Sequence, residues 1–169
     1  MKKAVGCIVL LIFMTGLIGC SGKTVKLDLP FTADDVESAV MYHFEGVPIA
    51  AEKKIVTEKD DIKALYERLE GLPLKDKTID DSGSGGDVTS FRFQLSDGTD
   101  YELLYVCSGV KNGYLASRTG GFRYFTRADI GACWNDLNQE LVAEPADQSE
   151  LPGYVPRLHC SDQRTPGMT

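Results

Sequence analysis

Histidine and tryptophan are the scarcest side chains in this chain, whose 169 residues include two histidines and one tryptophan. Zinc sites are usually built from clustered histidine and cysteine, and His43 and His159 lie far apart in the sequence. The G-x-S-x-G motif of serine hydrolases is also missing. We therefore expect no cofactor, no metal ion and no nucleophilic catalytic residue.

Cysteine occurs in a pattern that suits no disulfide framework. Of the five cysteines, two fall in the first twenty residues, and no C-x-x-C pair is present. The other three are Cys107, Cys133 and Cys160. Because three is odd, at least one thiol stays free unless it pairs between chains. Cys133 is interpreted as a small core residue, and the pairing of the three thiols stays open.

Basic residues are fewer than acidic ones: the chain has 18 lysines and arginines and 25 aspartates and glutamates, which gives a net charge of −7. A domain of this charge repels nucleic acid and anionic lipid headgroups, so neither is an expected ligand. With 43% hydrophobic and 25% charged residues, the composition is that of a globular protein. It excludes a disordered, collagen-like or multi-span membrane chain.

The sequence has no apolar run of about 20 residues, the length that a membrane-spanning helix needs. Residues 4–18 form a shorter run that follows Lys2 and Lys3 and ends in Leu17-Ile18-Gly19-Cys20. This ending resembles the lipobox of bacterial lipoproteins. The resemblance implies that residues 1–19 are a signal peptide and that Cys20 carries diacylglyceryl and palmitate chains. The protein would then be anchored on the extracytoplasmic face of the cell membrane. In a two-membrane cell, Ser21 would permit sorting to the outer membrane.

The first half of the chain predicts strands followed by a helix. Apolar side chains alternate over residues 38–44 and favour a strand, while residues 32–40 stay open between strand and helix. A short second strand is predicted at residues 54–56. Thr57 suits the N-cap of a helix over residues 58–70, and Gly71 is its expected end.

Two turns predict the register of the strands that follow. Ser96-Asp97-Gly98 suits a three-residue hairpin that places Phe91 opposite Leu103, and Arg92 opposite Glu102. Asn112-Gly113 predicts a second turn that brings Arg123 beside Glu102. One apolar face then consists of Phe91, Phe93, Tyr101, Leu103, Phe122 and Tyr124.

A second helix is predicted over residues 130–141, because apolar side chains recur there at helical spacing after a suitable N-cap at Thr126. The fold expected is therefore α+β, an antiparallel sheet of about five strands with two helices packed on one face. Residues 20–30 would be the lipidated N-terminus and a short tether, residues 31–150 a single domain, and residues 151–169 an irregular tail.

Arg92, Glu102 and Arg123 are the candidate ligand or partner surface, because two guanidinium groups on a rigid sheet can bind a carboxylate. The simpler interpretation is a row of cross-strand ion pairs. Residues 80–87 carry three aspartates and three glycines, so weak calcium binding is a further hypothesis, against that of a plain linker.

Three stretches suggest a family resemblance: K-I-V-T-E-K-D-D-I at residues 54–62, F-R-F-Q-L-S-D-G-T at residues 91–99 and G-F-R-Y-F-T-R-A-D-I-G at residues 121–131. They are similar to small uncharacterised lipoproteins of the Firmicutes, which contain a domain of unknown function. The resemblance covers about residues 31–151 and brings no catalytic residues.

The expected function is that of a membrane-anchored envelope lipoprotein, a non-catalytic module that binds a ligand or an envelope protein. The alternatives are an envelope hydrolase using a carboxylate pair, and a sensor of a small molecule or anion. The membrane, reached through the lipid, is one expected partner and an envelope protein is a possible second. The oligomeric state stays open.

Overall fold

The computed structural model describes residues 23–76, 86–107, 112–137 and 140–153. Within these ranges nine strands form one sheet in the order β1-β4-β8-β7-β6-β5-β2-β3-β9, with every neighbouring pair antiparallel. The strands are β1 (Thr24–Lys26), β2 (Val36–Glu45), β3 (Glu52–Val56), β4 (Pro73–Lys75), β5 (Asp87–Leu95), β6 (Asp100–Cys107), β7 (Gly113–Ser117), β8 (Phe122–Thr126) and β9 (Glu144–Pro145). The α-helix α1 spans Lys59–Leu69.

The prediction of an α+β fold with about five strands and two helices is wrong. The described chain is a nine-stranded sheet with one α-helix, and its other helical pieces are single 3-10 turns. Those turns are Ala33–Asp35, Pro48–Ala50, Gly131–Trp134 and Gln148–Glu150. The extra strands are mostly short, and short strands carry too few residues for alternation to reveal them.

The predictions for the first half of the chain are largely confirmed. Strand β2 includes residues 38–44. Residues 32–40, left open between strand and helix, contain a single 3-10 turn at Ala33–Asp35 followed by the start of β2 at Val36. Helix α1 lies within the predicted range, and Gly71 follows it with a φ of 73°. Its N-cap is Glu58 rather than Thr57.

The first predicted hairpin register is confirmed, since Phe91 pairs with Leu103 and Arg92 pairs with Glu102. The second register is wrong. An additional strand, β7, lies between β6 and β8, because the chain reverses again before Phe122. Gly121, with a φ of 65°, supplies the left-handed residue of that reversal.

The predicted second helix over residues 130–141 is wrong as well. Among its described residues, 130–137 and 140–141, only one 3-10 turn forms, and Ile130, Cys133 and Trp134 are buried around it. Gly131 and Asn135 are poor helix formers, so one turn buries the apolar side chains and the helix does not continue. The interpretation of Cys133 as a core residue is confirmed, because it is 2% exposed.

The two sides of the sheet are here called the inner face and the outer face. The inner face packs against α1, through Ile62, Leu65 and Leu69, to form the main core. Its side chains alternate with those of the outer face along each strand. All six members of the predicted apolar face belong to this core or pack against it: Phe91, Phe93, Tyr101, Leu103, Phe122 and Tyr124.

The folded chain extends beyond both predicted domain boundaries. Thr24 begins β1, and Leu27 and Leu29 are buried, although residues 20–30 were expected to form a tether. At the other end, Leu151 and Pro152 are also buried. The rest of the predicted tail, the predicted signal peptide and Cys20 lie outside the described residues.

Candidate functional site

A strap formed by residues 144–153 crosses the outer face of the sheet. Its first residues form β9 and pair with β3, and the Ala146 N–H donates to the Ala51 carbonyl. Further along, Leu151 packs with Tyr42 and Ala51 in a small second core. The strap therefore covers part of the outer face, which α1 does not reach.

Arg92 fastens the strap to the sheet. Its guanidinium donates to Glu102 Oε1 at 2.8 and 3.0 Å, to the Tyr42 hydroxyl at 3.0 Å and to the Glu150 carbonyl at 2.7 Å. Burial is the largest single effect and opposes the charge on Arg92. The hydrogen bonds to Glu102, together with the charge interactions with Tyr42, Glu102 and Asp100, outweigh burial and raise the pKa of Arg92. A guanidinium with these contacts has a structural role.

A second cation, Lys53, holds the same part of the strap. Its ammonium lies 2.7 Å from Glu150 Oε2, and this hydrogen bond raises the pKa of Lys53. Glu150 is thus held by its carboxylate on one side and by its backbone carbonyl on the other. The strap is fixed where it crosses β2 and β5.

The predicted row of Arg92, Glu102 and Arg123 is only partly formed. Arg92 and Glu102 make the expected cross-strand pair, but β7 separates Arg123 from Glu102. Arg123 pairs with Ala116 across β7 and β8, and its guanidinium lies 4.0 Å from the centre of the Tyr114 ring. The two arginines therefore do not converge on one anion.

Beside the strap, the outer face contains an apolar groove of about 310 Å³. This volume is at the lower end of the range for ligand pockets. Its apolar lining includes Phe44, Val88, Leu104, Val106, Tyr114 and Leu151. A smaller cavity of about 150 Å³ shares Leu104, Pro152 and Gly153 with it, so apolar surface continues along the strap.

Exposed apolar side chains flank one end of this groove. Pro48 lines the groove, and its neighbours Val47 and Ile49 are 56% and 78% exposed. Large apolar side chains at such exposure next to an apolar groove are typical of a surface that binds a partner. Strand alternation alone places Leu104 and Val106 on the outer face and so indicates apolar surface there. The shape of the groove does not follow from the sequence, because the strap and the β2–β5 pairing that create it are long-range features.

A second candidate site lies at the ends of β2 and β5, on the inner side. His43, Glu45 and Asp87 each offer one ligand atom, and these atoms all lie within 4.8 Å of one another. His43 Nδ1 is 3.4 Å from Asp87 Oδ1 and 3.3 Å from the Thr89 hydroxyl. Such a set of donors can bind a divalent cation.

The hypothesis of calcium binding at residues 80–87 falls mostly outside the described residues, apart from Gly86 and Asp87. Of the downstream cysteines, Cys107 and Cys133 are described, and Cys133 is a buried free thiol. Burial raises the pKa of Cys133, which keeps it protonated and unreactive. Cys160 and His159 lie outside the described residues.

No family model, curated protein or solved structure matches the chain. The resemblance to small lipoproteins therefore rests on the quoted residues alone and stays a prediction. In the part of the chain that the structure describes, no helix has the length and apolar character needed to cross a membrane.

Proposed function

We propose that this protein is a non-catalytic binding module, anchored on the extracytoplasmic face of the cell membrane through a lipid on Cys20. Its binding surface would be the apolar groove together with Val47 and Ile49. The occupant would be an apolar segment of an envelope protein, because the groove is open, lined mainly by apolar side chains and continuous with exposed apolar side chains. The groove is the observation that carries the proposal.

The anchor and the first strand are close in the sequence, which supports a module held against the membrane. Only Ser21, Gly22 and Lys23 separate Cys20 from Thr24, where β1 begins. Four extended steps of about 3.6 Å span roughly 14 Å. A lipidated Cys20 would hold the sheet next to the bilayer and favour partners located in or near the membrane.

The two alternative functions have less support. An anion sensor would need Arg92 and Arg123 to act together, and the structure keeps them on separate strands with other contacts. A hydrolase would need a carboxylate pair; Glu45 and Asp87 are close, but both are exposed to solvent. Catalytic sites are concave and enclose most of the bound molecule, which an exposed pair does not do.

Site-specific photo-crosslinking in intact cells tests the groove. A photoreactive amino acid at position 49 should form a covalent adduct with one envelope protein, whereas the same amino acid at position 63, on the solvent side of α1, should form none. Lys63 is a matched control because its side chain is 66% exposed. Equal labelling from both positions, or none from position 49, would contradict the proposed surface.

Metabolic labelling with palmitate tests the anchor separately. The chain with Cys20→Ala should lose its incorporation of labelled palmitate, while Cys7→Ala should leave it unchanged. An unchanged label in Cys20→Ala would show that the lipobox resemblance is misleading, whatever the result at the groove.

A further inference from the structure

We infer that His43, Glu45 and Asp87 form a binding site for a divalent transition-metal ion of the Zn²⁺ type. Strand alternation places this cluster on the side of β2 and β5 opposite to the groove, since Phe44 and Val88 line the groove. The inference is therefore independent of the proposed function.

The charges of the cluster favour a cation. Glu45 and Asp87 are direct cross-strand partners at the ends of β2 and β5. Like charges in directly opposite positions destabilise a sheet, unless a cation lies between them. Within the described ranges, neither carboxylate forms an ion pair with a lysine or arginine. A divalent ion would neutralise both.

The donor types and one distance favour Zn²⁺ over Ca²⁺ or Mg²⁺. Calcium and magnesium prefer oxygen ligands alone, whereas zinc-type ions bind imidazole nitrogen together with carboxylate oxygen. Two atoms bound to one tetrahedral Zn²⁺ at about 2.0–2.1 Å lie roughly 3.3 Å apart. His43 Nδ1 and Asp87 Oδ1 are already 3.4 Å apart.

The neighbourhood of the cluster holds the imidazole in place and leaves the site accessible. The ring of Trp134 stacks on His43 at a centroid distance of 5.3 Å. A Zn²⁺ ion bound to Nδ1 would replace the contact that this nitrogen makes with the Thr89 hydroxyl. The side chains of His43 and Asp87 are 22% and 48% exposed, so an ion can enter from solvent. Three protein ligands leave at least one coordination position for water or a ligand.

Trp134, the only tryptophan in the chain, makes the site measurable. The purified full chain, stripped with EDTA, should bind one equivalent of Zn²⁺ in calorimetry. Paramagnetic Ni²⁺ should quench the emission of Trp134 with saturation, and Zn²⁺ should reverse the quenching. The variant Glu45→Gln with Asp87→Asn should weaken Zn²⁺ binding by at least about tenfold, since even outer partners of metal ligands cost 10–100-fold.

Two controls separate this site from other metal binding. Glu37→Gln, at the other end of β2, should bind Zn²⁺ as the unmodified chain does. His159→Ala with Cys160→Ser should also retain the site. The inference is overturned if no saturable Zn²⁺ site exists, or if the site survives in Glu45→Gln with Asp87→Asn and disappears in the His159 and Cys160 variant.

The melting temperature in EDTA shows whether Glu45→Gln with Asp87→Asn loses Zn²⁺ binding merely because it unfolds. The double variant lacks two like charges that face each other, so without metal it should be at least as stable as the unmodified chain. Zn²⁺ should raise the melting temperature of the unmodified chain and leave that of the double variant unchanged. If the unmodified chain binds no Zn²⁺ while the double variant stays folded, the metal site is refuted.

Discussion

The inner and outer faces of the sheet differ although their side chains alternate along the same strands. The inner face is covered by α1 together with Phe31 and Trp134, and most of its aromatic and aliphatic side chains are buried. On the outer face the strap covers only the region around Tyr42 and Leu151, and an apolar groove stays open beside it. The inner face thus stabilises the fold, while the outer face has apolar surface left for binding.

The way each face is covered explains the difference. Helix α1 lies on the inner face with a continuous stripe of leucine and isoleucine, so its contribution is the hydrophobic effect. The strap has few apolar side chains and is fastened mainly by Arg92 and Lys53 through Glu150. These polar contacts fix the position of the strap, but they do not cover the apolar surface beside it.

The largest expected effect comes from two consecutive leucines of β6. Leu103 is 0% exposed on the inner face, whereas Leu104 is half-buried on the outer face. Leu103→Ala should lower the free energy of unfolding by about 2–5 kcal/mol, and Leu104→Ala by about 1 kcal/mol or less. Urea titration measures both. Equal losses of unfolding free energy in the two variants would contradict the difference between the two faces.

The second prediction concerns the fastening of the strap. Arg92→Ala removes the hydrogen bonds to Glu102 and to the Glu150 carbonyl, and should cost about 1.5–3 kcal/mol of unfolding free energy. It should also speed amide hydrogen exchange within residues 146–151. Arg123→Ala is the matched control and should cost about 0.5–1 kcal/mol, the value of an exposed contact with Tyr114. Unchanged exchange in Arg92→Ala would mean that the strap is held by other contacts.

The third prediction separates stability from binding. Ile49→Asp should change the free energy of unfolding by no more than about 0.5 kcal/mol, because Ile49 is 78% exposed. The same substitution should prevent crosslinking of the partner from position 47. Val142→Asp, at a residue that is 82% exposed, should leave both quantities unchanged. Retained crosslinking in Ile49→Asp would show that Ile49 does not belong to the binding surface.

The smallest effect is expected from Asp147, which caps the 3-10 turn of the strap. Hydrogen bonds from Ser149 lower its pKa below the ordinary value of 3.8. Because the folded pKa is depressed, the carboxylate contributes stability above the ordinary value and loses it as pH falls through the folded pKa. Between about pH 5 and about pH 2, the stability gap between the unmodified chain and Asp147→Ala should therefore narrow. A constant gap would contradict this cap.

Local sequence signals predicted the inner face well. The alternation in β2 and the turn at Asp97-Gly98 gave the correct strand and hairpin register, because short-range geometry decides both. The second register is wrong because the chain reverses again at Gly121 and so inserts β7, which the Asn112-Gly113 turn does not indicate. Even so, Phe122 and Tyr124 lie on the predicted face, because inserting β7 kept their alternation in phase with β6.

The candidate sites could not be predicted in the same way. His43 and Asp87 lie in strands that pair only in the folded chain, and no turn connects those strands directly. The groove depends on the strap, whose path across the sheet leaves no periodic pattern in the sequence. Of the predicted surface, the Arg92–Glu102 pair was found because one hairpin sets its register, whereas Arg123 required the register of two further strands.

The accessibility of the two leucine side chains of β6 tests the central claim most directly. A soluble nitroxide added to the full chain relaxes the methyl signals that solvent can approach in an NMR spectrum. We expect strong relaxation at Leu104 and little at Leu103. Protection of both leucines in the absence of any partner would show that the chain covers its own outer face, and would contradict a groove open for binding.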